Sequence, residues 1–311
     1  MSEPVKKQQQ ERSTDEPPPR ATASRWKKAA SRFVGVICVL YALGAIVVWM
    51  MFHFLGESWW PATFLMFSPR WIWGLPLPLV LLLSALFRPK AIWVPLLTGV
   101  LVLVGLMGFC VPWRVAMTGR AGANTVRMVT ANLHVHQADP RIINDFLNRT
   151  RPDLVALQEF DVKTALPYIH QPGWQIRESE GIAVASRWPV KLIEQSTIGE
   201  PPETPDELSG GMVIEGVAAR FIVRAPFGDF QAVSLHLTSP HRAISMMRRQ
   251  GQLASHLLSA NAVRRANSST ALAAAVRQTP GPVLLAGDFN TTEESPIFRT
   301  AWAGYNDAFS V

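Results

Sequence analysis

From Phe33 to Val111 apolar residues run with little interruption, whereas beyond Thr125 they come in short bursts separated by polar and turn-forming residues. Three stretches make up the first pattern: Phe33 to Leu55, Trp71 to Phe87, and Ala91 to Val111. The first and third reach the roughly 20 residues that an α-helix needs to cross a bilayer. The second is shorter and carries Pro76 and Pro78, which predicts a short, kinked or tilted span, extended if Pro61 to Phe67 joins it. Eight of the 11 tryptophans lie in or beside this region. Trp59, Trp60, Trp71, Trp73 and Trp113 fall near predicted span ends, where an aromatic belt sits.

The second pattern predicts a different architecture. Val126 to Asn132 reads as a strand, and Asp153 to Gln158 as a nearly continuous apolar strand buried on both faces. Gly181 to Ala185, Val190 to Ile193, Met212 to Val223 and Phe230 to Leu237 are strand-like, the last two forming a hairpin across Ala225 to Gly228. Pro282 to Ala286 is a further buried strand. Helical patterns cover Arg141 to Leu147 and His241 to Arg277, the latter broken near Asn267-Ser268-Ser269. Glu200 to Gly211, with three prolines, reads as an exposed loop. The expected organisation is a basic, disordered cytoplasmic N-terminus (1–32), a membrane region with about three transmembrane helices (33–113), a linker (114–124) and one α/β domain (125–311). No internal repeat is evident.

Charge divides along the same line. Residues 1–113 carry 11 Lys and Arg against 5 Asp and Glu, and the remainder 19 against 18. The basicity is thus a topology signal: it flanks the spans at Lys6 to Arg32 and at Arg88 and Lys90, which the positive-inside rule places in the cytoplasm. Three crossings then put the loop Gly56 to Arg70 and everything after Trp113 outside the cytoplasm, in an integral protein of a plasma or inner membrane. Two crossings would invert that placement. A cleaved signal peptide does not fit a 32-residue leader followed by three apolar stretches, and spans without intramembrane acidic or basic residues do not describe a transport pathway.

Only Cys38 and Cys110 occur, both inside predicted spans, so the α/β domain has no disulfide framework, thiolate metal site or cysteine nucleophile. Its candidate chemistry lies at strand ends. Asn132 closes one strand, Glu159 follows another, His236 sits in a third, and Asp288 with Asn290 follows Pro282 to Ala286. Asp288 and Asn290 are two apart, which on an extended chain puts both side chains on one face. Arg248, Arg249, Arg264 and Arg265 read as a solvated helix face. His134 and His136 follow Asn132 and either line the cleft or lie on the surface. His170, Arg187, His241 and Asp307 read as structural or surface residues.

Five motifs occur in an order and spacing that resemble the endonuclease/exonuclease/phosphatase superfamily, the deoxyribonuclease-I-like enzymes: Thr130-Ala131-Asn132-Leu133, Pro152 to Glu159, Ser186-Arg187-Trp188-Pro189, Leu235-His236 and Gly287-Asp288-Phe289-Asn290. The resemblance implies a four-layer α/β sandwich, two packed mixed sheets flanked by helices, here preceded by the transmembrane helices. It implies Glu159 as the principal Mg²⁺ or Mn²⁺ ligand with Asn132 beside it. Asp288 would orient or deprotonate the attacking water, Asn290 would hydrogen-bond the phosphoryl oxygens, and His236 would donate to the phosphate. The partners expected are the lipid bilayer and a phosphoester, whether nucleic acid, phospholipid headgroup or another; no obligate protein partner is evident.

The family pattern continues past Asp307-Ala308 to a terminal Asp-His pair, whereas this sequence ends at Val311. The expectation is therefore a C-terminally truncated, membrane-anchored bacterial-type member. The leading reading is a metal-dependent phosphoric-ester hydrolase. The alternative is a catalytically impaired or non-catalytic membrane protein that keeps the fold as a binding module.

Overall fold

A computed structural model describes residues 20–110, 125–134, 138–161, 163–200, 213–251, 255–278 and 280–308. The linker 114–124, Trp113, His136, the proline-rich loop 201–211 and most of the basic leader lie outside these residues. The α-helices preceding the sheets are α1 (Arg20–Met50), α2 (Trp60–Met66), α3 (Pro76–Phe87) and α4 (Trp93–Val100). With their π- and 3₁₀-helical continuations they form three stretches long and apolar enough to cross a membrane, Arg25–Ser58, Arg70–Phe87 and Pro89–Leu106. The chain divides into two compact units, one comprising residues up to Val47 with Trp71–Gly108, the other Val48–Arg70 with Phe109 onward.

In the first unit, Val34 and Cys38 of α1 pack against Val80 of α3, with Ile37, Tyr41 and Leu83 around them. The Tyr41 hydroxyl donates to the Trp73 carbonyl at 2.7 Å, so this polar group is satisfied within the bundle. Leu40, Leu43, Leu82, Leu86 and Leu97 face outward. Such an apolar exterior is stable only where lipid replaces water.

The second unit is an α/β sandwich. Its elements continue as β1 (Met128–Asn132), α5 (Pro140–Thr150), β2 (Leu154–Gln158), β3 (Gln175–Ser179), β4 (Ile182–Ser186), β5 (Val190–Glu200), β6 (Val213–Ala225), β7 (Gly228–Leu237), α6 (His241–Gln250), α7 (Ser255–Arg277), β8 (Val283–Asp288) and α8 (Pro296–Ala301). One sheet has the order β1-β2-β4-β3 and the other β5-β6-β7-β8. Each is mixed: β1 is parallel to β2 and β7 to β8, and the other pairs are antiparallel. Parallel neighbours need a long crossover, which α5 supplies in the first sheet and α6 with α7 in the second.

Period-two alternation explains the layering. Leu154 and Ala156 of β2 face the second sheet, packing with Ile182, Val184, Phe221, Val223 and Ala232. Val155 and Leu157 face the other way, against Leu147 of α5 and Leu166, Tyr168 and Ile169. On the far side, Val233, Leu235 and Leu237 pack against Leu272, Ala273 and Val276 of α7 and Ala301 and Trp302 at α8. Helix α5 starts where Asp139 accepts a hydrogen bond from the Arg141 amide and Pro140 takes the first helical position; it stops at left-handed Arg151.

Four details depart from the sequence reading. Strand β3 has the polar sequence Gln175-Ile176-Arg177-Glu178-Ser179 and mostly exposed positions, so it carried no apolar signal; pairing with β4 defines it. Strand β5 runs on to Glu200 because bulges at Leu192/Glu194 and Ile198/Gly199 let it follow β6. The long helical segment ends its first helix at Gly251 (φ 61°), whereas Asn267-Ser268-Ser269 lie within α7. There Ser268 Oγ donates to the Arg265 carbonyl and Ser269 accepts from the Trp302 indole at 2.8 Å, so tertiary partners override weak helix propensity. Finally, Arg265 is not on a solvated face: it is fully buried.

The segment Val48–Arg70 packs with the sandwich rather than standing clear as a loop. Trp60, Phe64 and Phe67 cover Ala243, Ile244 and Leu258 of α6 and α7. Arg70 holds Glu294 through two hydrogen bonds, 2.7 and 3.1 Å, and lies over the Phe52 ring. Burial pushes the Glu294 carboxyl up, but the Arg70 guanidinium outweighs it and holds it below the ordinary carboxylate range. A depressed pKa contributes stability above the unfolded value and loses it as pH falls through the folded value. Arg70→Gln should therefore lower stability by about 1–3 kcal/mol at pH 7. The deficit should shrink as Glu294 protonates in both proteins, which melting of the full chain in detergent across pH 7 to 3.5 will measure.

Candidate active site

The C-terminal ends of the two parallel pairs emerge on the same side of the sandwich. Asn132 ends β1 opposite Gln158, after which Glu159 leaves β2. In the other sheet His236 of β7 pairs with Asp288 at the end of β8. Face-to-face packing of β1 and β2 on β7 and β8 brings these four termini together.

The Asn132 carboxamide is the link. Its Nδ2 donates to Glu159 Oε1 and to Asp288 Oδ2, both at 3.0 Å, and its Oδ1 accepts from the His134 amide at 2.8 Å. One amide thus bridges a carboxylate from each sheet. His236 Nε2 lies 3.6 Å from Glu159 Oε1, and His134 Nδ1 lies 3.9 Å from Oε2. Glu159 and His236 are about three-quarters buried, whereas His134 is exposed at the rim. Asp288 Oδ1 accepts from the Asn290 amide at 3.0 Å, closing an Asx-turn, and Asn290 Nδ2 donates to the Leu237 carbonyl at 2.6 Å. Asn132, Glu159, His236, Asp288 and Asn290, separate in sequence, therefore share one cleft; His136 lies outside the described residues.

Backbone conformation supports the same place. His134 (φ 48°), Glu159 (φ 51°) and Asn290 (φ 48°) are left-handed without being glycine. Such residues cost about 1–3 kcal/mol and persist where their surroundings over-determine them. Gly287, just before Asp288, has φ 147°, and a Cβ there would collide with the Leu235 backbone. The close approach of β8 to β7 at the site thus requires glycine.

Beneath the cleft, Gln158 is buried and donates from Nε2 to Ser234 Oγ at 2.9 Å, tying the sheets together one residue below Glu159. Arg187 donates to the Tyr168 hydroxyl at 3.0 Å and the Pro152 carbonyl at 3.2 Å and lies over the Trp174 ring, away from these five residues. His170 Nδ1 bonds the Leu166 carbonyl. Burial, then the nearby Asp307 and Glu294 carboxylates, push the Glu293 carboxyl up.

Arg265, whose sequence context suggests a solvated helix face, reaches this site. Its Nη1 donates to the Asn290 carbonyl at 3.1 Å and lies 3.4 Å from Glu57 Oε1, while its Nε donates to Asn261 at 3.0 Å. Burial draws the guanidinium below its ordinary pKa, and Glu57 opposes that shift. A signal existed in the spacing: Leu258, Ala262, Arg265, Ser269, Leu272 and Val276 recur every three or four residues on the buried face of α7.

The family model of the Endonuclease/Exonuclease/phosphatase family matches residues 129–310. The chain belongs to that family. No curated protein matches it. Among solved structures, this family member is similar to humanized D. rerio TDP2 (17% identity, 59% of this chain and 68% of that one, TM-score 0.37). It is similar to the human Nocturnin catalytic domain (16%, 58% and 69%, TM-score 0.38) and to an endonuclease/exonuclease/phosphatase from Beutenbergia cavernae DSM 12333 (18%, 55% and 50%, TM-score 0.30).

Whether a divalent cation suits this family member's cleft can be tested on its donors. Among the described residues no three His, Cys, Asp or Glu side chains form a ready metal cluster. What stands there is two carboxylates with a carboxamide and no thiolate. Among the described residues no lysine or arginine pairs with Glu159 or Asp288. Hard oxygen donors of this kind fit Mg²⁺ or Mn²⁺, and Mg²⁺ commonly uses one or two carboxylates plus waters and substrate phosphate.

The bridging amide also makes a stability prediction. Asn132→Asp would replace the shared donor with a third carboxylate, so that like charges meet where two hydrogen bonds stood. The variant should lose about 1–3 kcal/mol at pH 7 without added metal. Protonation relieves that penalty as pH falls toward 4, so its melting temperature should converge on that of the native protein.

Proposed function

We propose that this chain is a membrane-anchored, divalent-cation-dependent phosphoesterase whose catalytic domain lies outside the cytoplasm. The observation that carries this reading is the convergence of Glu159, Asp288 and His236 from two sheets on one amide-bridged cleft, within a domain of the endonuclease/exonuclease/phosphatase family. The family setting supports hydrolysis of a phosphodiester or phosphomonoester by in-line attack of water.

Glu159, with Asn132 beside it, would hold Mg²⁺ or Mn²⁺, which when bound polarises a phosphoryl oxygen and neutralises its charge. Asp288 spends one lone pair of each oxygen on Asn290 and Asn132, leaving acceptor capacity to orient a water and take its proton. His236 Nε2, 3.6 Å from Glu159 Oε1, would donate to the phosphate as charge accumulates. Asn290 Nδ2 gives one N–H to Leu237 and keeps a second for a phosphoryl oxygen.

The placement outside the cytoplasm rests on the basic flanks together with the packing of Val48–Arg70 on the sandwich. That packing supports a reading in which residues 59–70, which follow the first candidate span, lie on the same side as the catalytic domain. An even number of crossings must then separate Arg70 from Thr125, which Arg70–Phe87 and Pro89–Leu106 provide. An alkaline phosphatase reporter joined after Cys110 should be active and a fluorescent protein at the same point dark. The reverse pattern would overturn the topology.

The activity test uses the full chain in detergent with bis(p-nitrophenyl) phosphate and Mg²⁺ or Mn²⁺. Chelation should abolish turnover, and Glu159→Ala or His236→Ala should lower kcat/KM by about 100-fold or more. A Glu159→Ala protein that turned over at the native rate would sink the proposed site.

A further inference from the structure

The buried pair Glu57 and Arg265 joins two parts of the chain that the sequence keeps far apart. Glu57 lies in the turn Gly56–Ser58 that ends the first candidate membrane span, and Arg265 lies in the middle of α7. Arg265 is fully buried and Glu57 nearly so. Glu57 Oε1 also accepts from Ser295 Oγ at 2.5 Å, and Ser295 caps α8 by accepting from the Ile297 and Phe298 amides. Gly56 approaches Pro296 so closely that a Cβ would overlap the proline ring. Phe67 of the same segment lies beneath the guanidinium, 5.2 Å from ring centroid to Cζ.

The guanidinium bonds the Asn290 carbonyl, and this matters because Asn290 holds a left-handed backbone. Three hydrogen bonds keep it there: its amide to Asp288, its carboxamide to Leu237, and its carbonyl from Arg265. The first two belong to the local turn and the neighbouring strand. The third depends on a charge whose counter-ion comes from the membrane-proximal segment. The pair is a poor source of stability, since Glu57 Oε2 and Arg265 Nη2 are buried without hydrogen-bond partners among the described residues. Buried ion pairs often cost as much in desolvation as they return. Its consequence is geometric: it sets where the carbonyl of Asn290 points.

We infer that Arg265 and Glu57 are positioning residues that lock the Asp288–Asn290 loop, making the segment between the first two membrane helices a structural part of the active site. The kinetic side of this inference rests on the phosphoesterase reading; the structural side does not. Neither residue meets substrate. Each acts through Asn290, where a displacement of about 1 Å is enough to cost up to 100-fold in rate.

The experiment uses the full chain in detergent and compares Arg265→Met, Arg265→Lys and the double variant Glu57→Leu/Arg265→Met. Arg265→Met alone strands the Glu57 carboxylate and should melt early. The double variant replaces the ion pair with apolar side chains of similar volume, so its melting temperature should return to near native. With the lock gone, its kcat on bis(p-nitrophenyl) phosphate should stay about 10- to 100-fold down with KM little changed, and Arg265→Lys should recover part of the rate. Hydrogen exchange of amides 288–295 should be faster in the double variant even where the melting temperature matches. Recovery of native kcat together with the melting temperature would show a merely structural pair and overturn the inference. If the native protein hydrolyses nothing, the exchange measurement decides alone: unprotected amides at 288–295 support the lock, and unchanged protection overturns it.

Discussion

Two carboxylates from different sheets sit within hydrogen-bond reach of one asparagine amide, and that proximity depends on how the sheets are stacked. Were the sheets offset by one residue pair along the strands, roughly 7 Å, Asn132 could not touch Asp288. The packing is set by interleaved apolar side chains from β2, β4, β6 and β7. Gln158 and Ser234 add a directional bond across the interface, just beneath Glu159. The position of these groups is thus a product of core packing, with the Gln158–Ser234 bond adding a directional tie.

The parallel pairs explain why the site is at this end. In an antiparallel sheet, neighbouring strands finish at opposite ends, and only one of two adjacent C-termini can face a given cleft. Each sheet here contains one parallel pair, and each pair presents both C-termini to the same side. Helical crossovers make those pairs possible and then form the outer layers. Left-handed residues at the exits turn the chain sharply, so that Glu159 and Asn290 remain at the rim instead of running into solvent.

The attachment of Val48–Arg70 alters the picture of an α/β domain on a tether. An aromatic patch, a two-pronged Arg70–Glu294 bond and the buried Glu57–Arg265 pair bind the membrane-proximal segment to α6, α7 and α8. A desolvated guanidinium needs a carboxylate nearby. In this chain the carboxylate comes from a segment 208 residues earlier.

Much of this molecule was legible in its sequence. Apolar run length discloses three candidate spans, alternation discloses most strands, and Asn132, Glu159, His236, Asp288 and Asn290 stand out as polar side chains at or near the ends of apolar strands. These features are local: period and composition act within a few residues of where they are read. The strand β3 escaped because pairing, not composition, makes it a strand. The continuity of α7 through Asn267-Ser268-Ser269 escaped because the partner that compensates Ser269 is Trp302. Arg265 looked like any surface arginine, since nothing adjacent reveals that Glu57 will meet it in the core. Composition and local pattern are enough to say which side chains could do chemistry and which segments could enter a bilayer. That these groups share one cleft, and that Val48–Arg70 packs on α6 and α7 beside it, appears only in three dimensions, because both depend on contacts between residues far apart along the chain.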